Sequence, residues 1–401
     1  MKIKSLSFEN YKGFFERQHL TLKPLTILIG KNSSGKSSIA KLFPLLSNSL
    51  SGHFDEPLLL SNYNVFLGGE FRDLVFNRNP NSPIIFSLEF QDSSILTVSI
   101  LQPLQQYELI IYEWAYISPL IDISLRYDPT KGYIDSSGGI YKCEFMGFIP
   151  ITMRDPNGKD LLNYIKFDMQ MIVDYIGPFR VVPDRQFTLT GQVNYNQTGT
   201  KGEYAYSMLG ASKNVKSTLH EKVGSWFEQN FDGWRLLVEN KNPPFIELLL
   251  SKGDSLINLV DVGQGMSQVL PLIVRAHVDE DDSYIVSEQP ELHLHPAAHG
   301  DVAELFAKSS KKSNQTFIVE THSENFLLRL RRLVIGNDFG FTSDDIVIYF
   351  VDSSEVGQRL MKITIDSDGV LSDWPEGIFN ENLDEVVGMR KALTEKKRSK
   401  E

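Results

Sequence analysis

Gly30-Lys-Asn-Ser-Ser-Gly-Lys-Ser37 lies between Leu25-Thr-Ile-Leu-Ile29, a short apolar run rich in β-branched residues, and Ser38-Ile-Ala-Lys-Leu-Phe43, which has helical spacing. The order strand, glycine-rich loop, helix is the context in which G-x-x-x-x-G-K-[ST] binds phosphate. Gly30 and Gly35 allow backbone torsions closed to other residues, so successive N–H groups turn inward at the helix N-terminus and cradle anionic oxygens. Lys36 supplies positive charge to the β- and γ-phosphates, and the Ser37 hydroxyl completes the coordination of Mg²⁺. The expected contacts of a nucleotide are therefore Gly30, Lys31, Asn32, Ser33, Ser34, Gly35, Lys36, Ser37 and Ser38. The plain alternative is a glycine-rich turn carrying a solvated lysine.

The chain of 401 residues is long enough for two or three domains, or for one large α/β unit with insertions. Apolar residues at 41% and charged residues at 23% are ordinary globular values. No stretch approaches the ~18 apolar residues of a membrane span, and the first residues lack a leader-like apolar core, so a cytoplasmic location without a membrane is expected. Cys143 is the only cysteine, which leaves no internal disulfide and no cysteine zinc site. A net charge of −11 argues against a surface that tracks nucleic acid throughout, because such binding draws on phosphate neutralisation by Lys and Arg. Two local basic candidates remain, Arg329 with Arg331 and Arg332, and the tail Lys396-Lys-Arg398; a snorkelling helix face and a solvated tail are the simpler accounts.

Working outward from the loop, Ile3 to Phe8 and Phe14 to Leu22 read as an N-terminal hairpin feeding the strand at 25–29. Ile84–Phe90, Ser94–Leu101, Tyr107–Trp114 and Ile121–Tyr127 read as an antiparallel series bounded by turn residues. Helical spacing follows in Leu161 to Val173 and Ala211 to Phe231, interrupted by Tyr175-Ile-Gly-Pro-Phe-Arg180 and by the loop-like stretch Gly191 to Gly202. Neither helical piece sustains the heptads of a coiled-coil arm. Phe245–Leu250 and Ile257–Val260 read as strands, and Asp261-Val-Gly-Gln-Gly-Met-Ser-Gln268 leads into an apolar helix. Ser283-Tyr-Ile-Val-Ser287 is a buried-strand pattern ending in Glu288-Gln-Pro-Glu-Leu-His-Leu-His-Pro296. An acid at a strand tip beside a phosphate loop holds Mg²⁺, and the next position orients the attacking water; these are Glu288 and Gln289. A further strand, Thr316–Glu320, places His322 at the same sheet edge.

The set Gly30-x4-Gly-Lys-Ser37, Gly263-x-Gly-x-x-Gln268, Glu288-Gln-Pro-Glu-x-His-Leu-His-Pro296 and Glu320-Thr-His-Ser323 resembles the ABC-type ATPase core shared by the SMC/RecF and OLD-like families. Ile365-Asp-Ser-Asp-Gly369, Asp373-Trp-Pro-Glu-Gly-Ile-Phe379 and Tyr175-Ile-Gly-Pro-Phe-Arg180 extend the likeness to bacterial AAA-type ATPases with a small C-terminal domain. The resemblance implies an α/β P-loop fold of ABC type with a β-rich N-terminal lobe (1–150), a mainly helical insertion (151–240), a C-terminal lobe with signature, Walker B, D-loop and switch histidine (241–340), and a small C-terminal domain with a basic tail (341–401). It implies ATP and Mg²⁺ as cofactors, with Ser37 and Glu288 on the metal and Lys36, Glu288, Gln289 and His322 as the catalytic set. It also implies a homodimer or higher homo-oligomer with composite sites. Gly263, Gly265 and Ser267 would then meet the partner's γ-phosphate, Gln268 would order their turn, and His322 would sense the γ-phosphate.

One position departs from the pattern. Many relatives carry a second acid where Gln289 stands, and an amide cannot accept the water's proton, so hydrolysis is expected to be slow. His293 and His295, with Glu291 and His299, have ligand-like spacing, but the resemblance makes them part of a D-loop. Asp366-Ser-Asp368 matches the D-x-D of a TOPRIM nuclease, yet Asp-Gly between apolar runs is a turn signal and too little chain remains for that fold. With no effector domain visible, a separate nuclease or toxin is the expected partner of a switch in phage defence or genome maintenance. A DNA- or protein-binding clamp with negligible turnover is the rival, and the ATPase subunit of a membrane transporter fits worse.

Overall fold

A computed structural model describes the chain apart from residues 1, 63–64, 104–107, 164–166, 168, 190–196, 215–216, 243, 280–281, 375–378, 380–385, 393–395 and 397–401. Parts of six stretches singled out above, Tyr107 to Trp114, Leu161 to Val173, Gly191 to Gly202, Ala211 to Phe231, Asp373 to Phe379 and the basic tail, lie outside the described residues.

The strand Leu25–Gly30 sits inside a six-stranded sheet with the order Ile172–Ile176, Ser283–Glu288, Thr316–Glu320, Leu25–Gly30, Ile346–Ser354, Gly357–Ile363. The first five run parallel, and the last turns back antiparallel. Every residue of Leu25–Gly30 is buried, because both faces of the sheet are covered; such strands read as continuous apolar runs. Alternate side chains enter two cores. Leu28, Val286, Ile318 and Val347 join one, while Ile27, Ile285, Val319 and Ile348 join the other.

The first core is roofed by a nine-stranded antiparallel sheet. Ile3–Glu9 forms the expected hairpin with Gln18–Thr21 and pairs on its other side with Ile84–Phe90, setting Leu6 opposite Leu88 and Phe8 opposite Phe86. The antiparallel series continues beyond the expected strands, through Gly132–Ile134 and Ile140–Met146 to Ile149–Arg154. Ile84–Phe90 buries every second residue, as a sheet with one covered face requires.

The second core lies under helices Gln264–His277, Pro296–Lys312 and Glu324–Gly336. It also takes in Val223 and Phe227 of helix Leu219–Asn230 and Leu236, Ile246 and Leu250 of a smaller antiparallel sheet.

One expectation is corrected. Leu161 to Val173 is not a helix: its described part holds one turn at Leu161–Asn163 and the start of strand Ile172–Ile176. That strand is won by tertiary pairing with Ser283–Glu288, which overrides local spacing. Residues 151–240 therefore hold strands as well as helices, and one of those strands edges the central sheet. Ile346–Ser354, at the start of the 341–401 unit, lies parallel against Leu25–Gly30, so that unit contributes a strand to the central sheet. Asp366-Ser-Asp-Gly369 is a hairpin turn, with the Gly369 N–H donating to the Asp366 carbonyl at 3.1 Å and Ile365 bridged to Leu371.

Candidate nucleotide site

Gly35 begins the helix Lys36–Ala40 with φ of 101°, and a Cβ there would lie 2.1 Å from Gln358 Oε1, so the loop needs glycine at this point. Lys36 is folded back onto its own loop. Its Nζ donates to the carbonyls of Gly30 at 3.0 Å and Lys31 at 2.7 Å. Burial lowers the Lys36 pKa, and the neighbouring Glu320 and Glu288 oppose that shift. Ser34 Oγ is buried without a hydrogen-bond partner among the described residues.

Parallel register brings the acids to the loop. Glu288 stands opposite Glu320, and Glu320 opposite Leu28, so both carboxylates finish at the sheet edge where the loop begins. Glu320 Oε2 accepts from Ser37 Oγ at 2.8 Å, and its Oε1 lies 4.0 Å from Lys36 Nζ. Burial, with Glu288 alongside, pushes Glu320 up to about 7. Glu288 is also raised by burial, while a hydrogen bond from the Tyr175 hydroxyl to its Oε1 works the other way. It is therefore Glu320, given no role from sequence, that touches Ser37; the available signal was an acid closing an apolar run. The hydroxyl of Ser37 and the carboxylates of Glu288 and Glu320 form a hard oxygen donor set, which fits Mg²⁺. Two crowded buried carboxylates would both be relieved by a cation.

A cavity of about 550 Å³ opens over the loop. Asn32, Ser33, Gly35, Lys36, Ser37, Ser38, Gln289, Glu320 and His322 line one side of it. The His322 N–H donates to Glu291 Oε1 at 2.7 Å, and burial followed by the nearby Lys36 charge lowers its imidazole pKa. The other side carries residues missed from sequence, Lys12, Asp73, Arg78 and Gln358, delivered by two loops and the C-terminal hairpin. Arg78 pairs with Asp73 at 2.6 Å.

The turn at Gly263 lies elsewhere. None of Gly263, Gly265, Ser267 and Gln268 lines the cavity. Gly263 caps helix Gln264–His277, and Gly265 packs so closely on the D-loop that a Cβ would sit 2.8 Å from the His293 carbonyl. Ser267 is buried and its Oγ donates to Gln264 O at 3.0 Å, so the hydroxyl faces its own helix. Of the histidines, His295 caps helix Pro296–Lys312, His299 bonds Ser323 Oγ and the Leu294 carbonyl, and His293 is exposed. Among the described residues no group of three or more His, Cys, Asp or Glu is arranged to hold a metal. Arg329 is tied to Glu304 at 2.7 Å and Asp301 at 3.1 Å, and Arg331 to the Gly369 carbonyl, which spends much of the basic stripe inside the protein.

A phosphate loop between a parallel strand and a helix, with acids closing two strands beside it, is the arrangement of a P-loop nucleotide-binding fold. The chain matches the AAA ATPase domain model over residues 1–175 and 203–327, and it belongs to that family. Residues 342–387 match a model for a protein of unknown function, DUF3696. No curated protein matches the chain. Among solved structures it is similar to an SMC head bound to the C-winged helix domain of ScpA, with 14% identity, TM-score 0.49, and coverage of 91% of this chain and 98% of that one. It is also similar to the SMC head domain from Thermotoga maritima, with 13% identity, TM-score 0.41, and coverage of 90% and 98%. In the described residues no helix is long and apolar enough to cross a membrane.

Proposed function

We propose that this chain is a Mg²⁺-dependent ATP switch that closes as a homodimer around ATP and reopens after slow hydrolysis. The observation that carries it is the meeting of Lys36, Ser37, Glu320, Gln289 and His322 around one cavity of nucleotide size. On binding, Lys36 exchanges the Gly30 and Lys31 carbonyls for phosphate oxygens, and Ser34 Oγ gains a partner. Ser37, Glu288 and Glu320 would hold Mg²⁺, which supplies charge neutralisation to the transferring phosphoryl group. Gln289 orients the water by hydrogen bonds, and His322 reads the γ-phosphate. That the Gly263–Gly265 turn does not line the cavity of its own chain supports a composite site completed by a second copy.

By motif resemblance alone, the biological setting is phage defence or genome maintenance in bacteria, with a separate nuclease or toxin as effector and nucleic acid as a candidate trigger. A second reading, an ATP-dependent DNA- or protein-binding clamp with negligible hydrolysis, is favoured by Gln289. Steady-state ATP turnover with and without DNA, together with mass at saturating ATP, separates them. DNA-stimulated turnover supports the switch, stable ATP-loaded dimers without turnover support the clamp, and absence of ATP binding rejects both.

A further inference from the structure

The stretch Tyr175-Ile-Gly-Pro-Phe-Arg180 contributes nothing to the cavity wall, yet it grips the strand end that does. Tyr175 stands opposite Val286 in the parallel register, and beyond Ile176 the chain crosses the end of strand Ser283–Glu288. Arg180 is 6% exposed. Its Nη2 donates to the carbonyl of Glu288 at 2.9 Å and to that of Gln289 at 3.1 Å. Gln289 has a left-handed backbone, φ 46°, rare for a residue with a side chain. Its N–H donates to the Glu320 carbonyl at 2.8 Å, so the strained residue is pinned from both sides.

Two features distinguish Arg180 from an ordinary structural arginine. Its Nε and Nη1 are buried and have no hydrogen-bond partner among the described residues. Burial, opposed by the charge of the buried Glu291, brings its pKa down to about 10, and the hydrogen bonds of this cation go to the two carbonyls. Burying a guanidinium with two unbonded donors is costly, and the Glu291 charge and the two carbonyl hydrogen bonds offset that cost. Behind it, the Val181 carbonyl accepts from Gln268 Nε2 at 3.4 Å, and Asp174 pairs with Arg275 at 3.2 Å, both partners being on helix Gln264–His277.

We propose that Arg180 is a positioning residue: it holds the Gln289 backbone in its left-handed turn so that the amide faces the cavity, and the segment Asp174–Val181 ties that turn to the helix carrying Gly265. This rests on Gln289 as the water-orienting residue. Arg180 acts through carbonyl groups and touches no nucleotide.

The test uses the full chain with Arg180→Met and Arg180→Lys. Arg180→Met is expected to lower kcat about 10- to 100-fold, with KM and the affinity for a fluorescent ATP analogue in Mg²⁺ within about twofold of wild type. Arg180→Lys, which keeps the charge and part of the donor set, is expected to fall between. Hydrogen exchange of the Gln289 amide in the nucleotide-free protein should speed up about tenfold or more in Arg180→Met, while the Gly30–Ser37 loop is unchanged. Unchanged exchange at Gln289, or ATP affinity falling in step with kcat, overturns the proposal. Loss of cooperative melting in both variants also overturns it, assigning Arg180 to folding. If the wild type binds ATP without turnover, it is hydrolysis that fails, and the exchange measurement still decides the role of Arg180.

Discussion

Lys36 Nζ donates to two carbonyls of its own loop, and in the proposed function phosphate oxygens, more strongly charged acceptors, take their place. Lys36→Ala is expected to weaken ATP binding by about 100-fold or more, measured by titration with a fluorescent analogue; unchanged affinity would reject the site. Glu320 gives a pH signature. Its folded pKa of about 7, against an ordinary 4.5, means the folded chain keeps a proton there that the unfolded chain has released. The stability from that proton is full below pH 4.5 and is lost as pH rises through 7, a change on the order of 3 kcal/mol. Melting of the nucleotide-free protein should therefore fall between pH 5 and 8, and Glu320→Gln should flatten the curve and raise Tm at pH 8. An equal slope in the variant would place the titration elsewhere. Gln289→Glu supplies the missing base and is expected to raise turnover by up to about 10²-fold; a fall in kcat would show that another group accepts the proton.

At the level of strands and helices, the phosphate loop, the strands that end in Glu288 and Glu320, and the hairpin Ile3–Thr21 were legible because each carries its own local period or turn. Ile172–Ile176 was not, since its pairing partner lies more than a hundred residues away. How the C-terminal part joins the central sheet was hidden for a related reason. Ile346–Ser354 follows turns that punctuate a domain end, but it buries Val347 and Ile348 in opposite cores beside the loop strand. Ending the chain at residue 341 should therefore abolish cooperative melting. Several buried aliphatic side chains at about 1.5–3 kcal/mol each are lost, comparable with the whole stability of a domain at about 5–15 kcal/mol. Ending it after residue 372 keeps the strand and should leave a folded, ATP-binding protein. A soluble chain with a sharp melt at 341 would show that the central sheet does not need this strand.

For the molecule as a whole, the proposed composite site requires that association follow ATP binding. Mass photometry or light scattering in Mg²⁺ and ATP is expected to show twice the chain mass, with Lys36→Ala remaining at the single-chain mass. A monomer at saturating ATP would remove the composite site while leaving Lys36 and Glu320 in place. The net charge of −11 and the internal pairing of Arg329 and Arg331 predict weak, salt-sensitive DNA binding by the free chain.

The amino-acid sequence alone determined the ligand class, because the phosphate cradle is built from consecutive residues whose backbone torsions and charges are local properties. It also located Glu288, Gln289 and His322, since strand ends announce themselves by the polar residue that stops an apolar run. Only the tertiary structure decided that Glu320 is the acid on Ser37, that Arg180 and Tyr175 hold the turn at Glu288, and that Lys12, Arg78 and Gln358 wall the cavity. Those relations depend on strand register and on loops hundreds of residues apart meeting at one sheet edge, and neither leaves a period in the sequence.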